Sequence, residues 1–194
     1  MGTAATGALH PDIARFSAEI ADTLANFESL CSNLSDSQFN WSPEPGRWSI
    51  AQNLAHLNTV NGLDIPLITE GVAHARIHNI TGSGPFKYSW MNNYFIRSME
   101  PPAKQKWKAP KIYIPPPDAP LAETLAEYCR ITHAVRAQLV LANGLDLKRA
   151  KTVMPALRFL KMPLGARFAL LCAHDRRHLW QANNIRNHPS FPNV

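Results

Sequence analysis

The chain has 194 residues, with 20 Lys and Arg against 14 Asp and Glu, a formal charge of +6. Hydrophobic residues make up 45% and charged residues 18%, a balance typical of a globular protein, and the length predicts a single domain over 1–194. No run approaches about 18 consecutive apolar residues, which excludes a membrane-spanning helix, and MGTAATGALHPD lacks the basic start and apolar core of a signal peptide.

The first apolar series is Ile13, Phe16, Ile20, Leu24, Phe27, Leu30 and Leu34, stepping by three or four residues. It predicts one face of an amphipathic helix opening after Pro11. After the loop SDSQFNWSPEPGRWS, Ser49 is the N-cap of a second helix, with Gln52 at the capping-box position. Ile50, Leu54 and Leu57 begin its stripe, and Val60, Leu63 and Leu67 continue it on a drifting face. Pro66 is expected to kink or end this helix unless local geometry accommodates it.

From about 75 to 118 the periodicity dissolves into a Pro-rich insertion holding TGSGP, EPPAKQKWKAP and YIPPPDAP, with a short helix expected at YSWMNNYFIRSM. Its aromatic residues, Phe86, Tyr88, Trp90, Tyr94, Phe95, Trp107 and Tyr113, predict a lid or binding segment packed over the rest. Leu121, Leu125, Tyr128, Thr132, Val135 and Leu139 form the cleanest stripe, ended by Asn143-Gly144. Residues 145 to 162 read as a loop. The last helix opens at Pro163 with a stripe of Leu164, Phe168, Leu171, Asp175, His178, Ala182 and Ile185, and stops at Asn187-His188-Pro189. Four amphipathic helices and no strand pair predict an all-α fold, a four-helix bundle with a long insertion between its second and third main helices.

The basic residues cluster only at Lys104, Lys106, Lys108 and Lys111, and at Lys148, Arg149 and Lys151. No zinc finger, RNA-binding aromatic motif or phosphate loop accompanies them, so they read as a solvated face and no nucleic-acid partner is expected. Cys31, Cys129 and Cys172 are odd in number and far apart, with no CxxC pair, which suits a reducing cytoplasm.

The last helix carries two histidines on its inner side. At about 100° per residue, His174 and His178 lie about 40° apart, on the side of Leu171 and Ala182. Two imidazoles one turn apart can share a metal ion, and burying both rings without partners is costly. The intervening Asp175-Arg176-Arg177 lacks the Glu that a zincin peptidase places after its first His. A third ligand is best sought on the second helix, where His56 shares a side with Asn53, Val60, Leu63 and Leu67. His10, His74, His78, His133 and His188 stand off the apolar stripes or near helix ends. Three nitrogens would leave positions open for water or substrate, as in a catalytic site.

Two segments resemble the DinB-like superfamily, in particular its DinB_2-type members, which are grouped with the YfiT-like thiol transferases. They are Trp41-Ser42-Pro43-Glu44-Pro45-Gly46-Arg47-Trp48-Ser49-Ile50-Ala51-Gln52-Asn53-Leu54-Ala55-His56-Leu57 and His174-Asp175-Arg176-Arg177-His178-Leu179-Trp180-Gln181. The resemblance implies a DinB/YfiT-like four-helix bundle holding a divalent metal, nickel or zinc, on His56, His174 and His178. It also implies a homodimer and a small-molecule substrate, a low-molecular-weight thiol among them, with transfer or hydrolase-like chemistry. A metal-binding or interaction bundle without turnover is the alternative.

A bound divalent ion lowers the pKa of water to about 7, or that of a thiol below about 8.5, making a nucleophile at neutral pH. Asp175, beside the ligand face, is a candidate as an acceptor for a ligand imidazole or as a base, against an ordinary salt bridge to a nearby Arg. Arg47, Arg167 and Arg177 read as surface cations, with anion binding the alternative, and Cys172 as a packed core residue. Trp41 and Trp48 are expected to anchor their loop to the bundle.

Overall fold

A computed structural model describes residues 8–103 and 108–193. Lys104, Lys106 and Trp107, and the first seven residues of the N-terminal segment, lie outside the described residues. The architecture is mostly helical. Four long helices, α1 (Pro11–Cys31), α3 (Ile50–Ile77), α5 (Leu121–Leu141) and α6 (Leu164–Arg186), carry the core. Both α1 and α3 pack against α5 and α6. Two short helices, α2 (Asp36–Phe39) and α4 (Trp90–Met99), and a two-stranded antiparallel hairpin, β1 (Lys151–Met154) with β2 (Leu157–Pro163), complete the elements beside a 3-10 turn at Lys111–Tyr113. None of the helices among the described residues is long and apolar enough to cross a membrane.

The helix starts follow their local chemistry. Pro11 opens α1, and His10 Nδ1 accepts from the Asp12 amide at 3.2 Å. At α3 the Ser49 hydroxyl accepts from the Gln52 amide and the Gln52 side chain accepts from the Ser49 amide, each at 3.0 Å, a reciprocal capping box. Pro66 does not end α3, which continues to Ile77. The residue at its i−4 position, whose carbonyl a proline ring crowds, is Gly62.

Two apolar clusters hold the helices together, one around Phe16, Ile68, Val135 and Phe168, the other around Phe27, Leu54, Tyr128 and Ala182. Between them the middle turns of α3 and α6 bury polar groups instead: Asn61 and Asp64 from α3, Asp175 and His178 from α6. That polar waist, flanked by two apolar cores, is where the candidate site lies.

The loop expected over 145 to 162 contains the hairpin. Thr152 pairs with Met162 in its register, and the Thr152 hydroxyl donates to the Leu67 carbonyl at 2.8 Å. Gly71 lets the strand cross α3, because a Cβ there would come within 2.7 Å of the Lys151 carbonyl. The same segment starts α6. The Leu164 and Gly165 amides donate to the Ala150 and Leu147 carbonyls at 2.9 and 3.0 Å, so backbone oxygens take the place of a side-chain cap.

The segment from about 75 to 118 is not wholly irregular, since α3 occupies its first residues and α4 its centre. One side of it packs as expected: Tyr88, Ile96 and Met99 lie against Met162, Ala166 and Leu170. The other side faces outward, with Trp90 80% exposed. Tyr88 reaches α6 because position 165 has no side chain: a Cβ there would collide with the Tyr88 hydroxyl and sit 2.9 Å from Leu147 Cβ. Gly165→Ala is therefore expected to destabilise the protein by about 1–3 kcal/mol in denaturant titration, outweighing a helical gain of about 1 kcal/mol. A stabilised variant would refute the close packing.

Candidate metal centre

The first turns of α3 carry His56 inward, and α6 presents His174 and His178 opposite it. His56 and His178 are buried and His174 is half-buried. His174 Nε2 lies 3.4 Å from His56 Nε2 and 3.1 Å from His178 Nε2. One nitrogen from each ring falls within 4.8 Å of the other two, a group able to hold a metal ion. Three ring nitrogens this close, each carrying a lone pair or a proton, need something shared between them, and a cation satisfies all three.

The outer nitrogens of two rings are fixed from behind. Asn53 Nδ2 donates to the Ser49 carbonyl at 2.8 Å, which turns its Oδ1 toward His178 Nδ1, also at 2.8 Å. Only a protonated Nδ1 can bond to that oxygen, so the His178 lone pair resides on Nε2. His56 Nδ1 lies 2.6 Å from the Tyr113 carbonyl and is held as a donor in the same way. Trp48 covers the assembly, with ring centroids 4.9 Å from His56 and 5.9 Å from His178. Asn53→Ala is expected to weaken metal affinity by about 10–100-fold while leaving the ligands in place, measured by competition with a chromophoric chelator. Unchanged affinity would remove Asn53 from the site.

Burial lowers the pKa of all three histidines. For His56 the Tyr113 carbonyl opposes the shift, whereas for His174 and His178 neighbouring rings and the Arg177 charge add to it. The rings are thus neutral and ready to bind at pH 7. In the metal-free protein the unfolded chain takes up protons below about pH 6.5 more readily than the native state, so these rings lower stability as pH falls through that value. The buried Asp175 carboxyl, raised to about 7, acts oppositely, losing stability as pH rises from about 4 to about 7. His178→Gln should therefore flatten the fall in denaturation free energy between about pH 7 and 5 relative to wild type, Asp175 being common to both proteins. An identical profile would contradict the shift.

Asp175, next to His174 in the chain, accepts from Asn61 at 3.0 Å and from the Tyr128 hydroxyl at 2.9 Å. It ties α6 to α3 and α5. Arg167 and Arg177, expected at the surface, are each only 5% exposed. Arg167 pairs with buried Asp64, and Arg177 donates to the Ser98 carbonyl at the end of α4 at 3.1 Å. Arg47 stays at the surface beside Glu44. Cys172 is buried in the core, and Trp41 packs against the second apolar cluster, its ring on Phe191 of the C-terminal tail.

Two functional neighbours were not singled out from sequence. Asn53 carried a signal, four residues after an N-cap and three before His56. Tyr113 contributes through its backbone, which no side-chain pattern encodes. The rings open onto a cavity of about 1240 Å³, walled by Trp48, Phe95, Met99, Met154 and Leu170 among others.

The helical fold and this cluster define the chain as a protein with a three-histidine site able to take a metal, set between α3 and α6. Its sequence matches the profile of the DinB superfamily over residues 19–182, and the chain belongs to that family. Comparison with curated proteins and with solved structures returned no match.

Proposed function

We propose that this protein is a divalent-metal-dependent enzyme that transfers a low-molecular-weight thiol to a small electrophile, with His56, His174 and His178 holding nickel or zinc. In this reading α1, α3, α5 and α6 form the family's four-helix bundle and α4 belongs to an insertion that walls the cavity. The observation carrying the proposal is the convergence of three Nε2 atoms, two of them oriented from behind, in the lining of a half-open cavity. A site built only to stabilise the fold would be closed by a fourth protein ligand.

A divalent ion there would supply Lewis-acid activation of a thiol or water. The chain supplies the rest. Asn53 and the Tyr113 carbonyl fix the tautomers of His178 and His56. Trp48 over the rings and the apolar wall lower the polarity around the reacting atoms, which strengthens electrostatic contacts there. Asp175 holds a positioning role, keeping the histidine-bearing turn of α6 fixed through Asn61 and Tyr128.

The test is a screen of protein loaded with nickel or zinc against small thiols paired with electrophiles, following thiol consumption. Activity lost on chelation and restored by metal supports the proposal. Stoichiometric metal with no consumption of any thiol overturns it and assigns a binding bundle without turnover.

A further inference from the structure

The far end of α3 carries a second histidine pair that the cluster near its start does not use. His74 and His78 stand one turn apart, about 40° from each other around the helix, and both are exposed. Their ring centroids are 4.3 Å apart, closer than any two rings of the buried cluster, which are separated by 4.6 to 5.2 Å. Among the described residues neither ring has a hydrogen-bond partner, in contrast to His56 and His178, so their nitrogens are uncommitted. Along α3 the pair lies about 27 Å beyond His56, too far to share an ion with it.

The backbone keeps the pair in register. Asn79 takes a left-handed φ of 52° and ends the helix, the Ile80 amide returning to the Ala75 carbonyl at 2.8 Å. The His78 amide still closes onto the His74 carbonyl at 3.1 Å, so a full helical turn separates the rings. Just beyond, the Gly82 amide donates to the Gly144 carbonyl at 3.2 Å and the Asp146 amide to the Ile80 carbonyl at 2.9 Å, which fastens this end to the segment after α5. The local charges favour a cation. A helix C-terminus carries partial negative charge, and exposed Glu70 precedes His74 by one turn on the same side. Arg76, about 160° away around the helix, turns its guanidinium onto the Leu141 carbonyl.

We propose that His74 and His78 form a second metal site, an open one, that takes a divalent first-row transition ion such as nickel, zinc or copper and completes its coordination with water. Two imidazole nitrogens on adjacent turns meet one such ion from the same side. Magnesium prefers oxygen ligands and is not held by two imidazoles. With two protein ligands in place of three, and no partner fixing either ring, this site releases its ion more readily than the cluster does. That ion is lost on desalting, so protein prepared without added metal carries only what the cluster holds. The site shares no residue with the proposed catalytic centre and does not depend on turnover there.

The test is equilibrium dialysis of the full-length chain, without an added histidine tag, against nickel chloride, with uptake counted by elemental analysis and the ion located by NMR. At saturating nickel, wild type is expected to hold about one ion more than His74→Ala or His78→Ala, each of which should weaken this site by about tenfold or more. His174→Ala, which disables the cluster, should keep the second ion during dialysis. In that background paramagnetic nickel should broaden the amide signals of residues 70–82, and adding His74→Ala should leave them sharp. Magnesium at the same concentration should do neither. Both substitutions fall at exposed positions where alanine favours the helix, and circular dichroism checks the fold. Unchanged uptake and broadening in the His74 and His78 variants, or an equal response to magnesium, overturns the proposal. Because the His174→Ala background removes the cluster, failure of one site is distinguishable from failure of the other.

Discussion

Replacing His174 with alanine is expected to abolish stoichiometric metal binding, from about one ion per chain to under about a tenth. His174 Nε2 is the nitrogen shared by the two shortest approaches, 3.4 Å to His56 and 3.1 Å to His178. Without it the remaining rings offer two nitrogens, and the loss should exceed the about 10–100-fold expected of Asn53→Ala. The fold should persist, because His174 belongs to neither apolar cluster and is half-buried at the cavity wall. Elemental analysis of protein prepared without chelator, with circular dichroism as the folding control, makes the measurement. A folded variant that keeps its full metal content would remove these histidines from the ligand set.

The second large effect concerns stability. Arg167→Met leaves the Asp64 carboxylate, only 2% exposed, without its counter-charge, and should cost about 3–5 kcal/mol. Burial pushes the Asp64 carboxyl up, and the Arg167 charge and hydrogen bond pull it down. The net shift is already upward with Arg167 in place, and deleting Arg167 removes the downward pull, so the native carboxyl rises further above the unfolded value. Stability must accordingly fall as pH rises above the unfolded carboxyl value near 3.8, making the variant weaker at about pH 8 than at about pH 5. Pairing the change with Asp64→Leu should restore most of the loss, since two apolar groups of similar volume carry no unmet charge. Urea denaturation of the set at both pH values decides the matter. A single variant within about 1 kcal/mol of wild type at pH 8 would show that the pair is solvated.

Periodicity made α1 and α5 legible because each has one face against apolar neighbours, whereas α3 and α6 are buried on several sides. Tyr128, Thr132, Val135 and Leu139, read as one stripe, are all buried on α5. The convergence of His56 with His174 and His178 was legible from helical spacing, two inward faces meeting at a polar waist. The hairpin was not. Phe159 and Leu160 are exposed, so no period-two burial marks the strand, and its place depends on Gly71 and the Leu67 carbonyl, far away in sequence. Arg167 and Arg177 were misplaced at the surface because charge predicts exposure unless a distant partner compensates. Asp64 lies 103 residues from Arg167, and Ser98 lies 79 from Arg177.

The Ser49 carbonyl accepts both the backbone amide of Asn53, at 3.1 Å, and the side-chain amide that turns Asn53 toward His178. One peptide oxygen thus starts a helix and sets the protonation of a ring on another helix 125 residues away. Fraying of that first turn and loosening of the histidine cluster are one motion, not two. Amide exchange at the beginning of α3 is then a clock for the opening of the site, slowed by whatever the three rings hold.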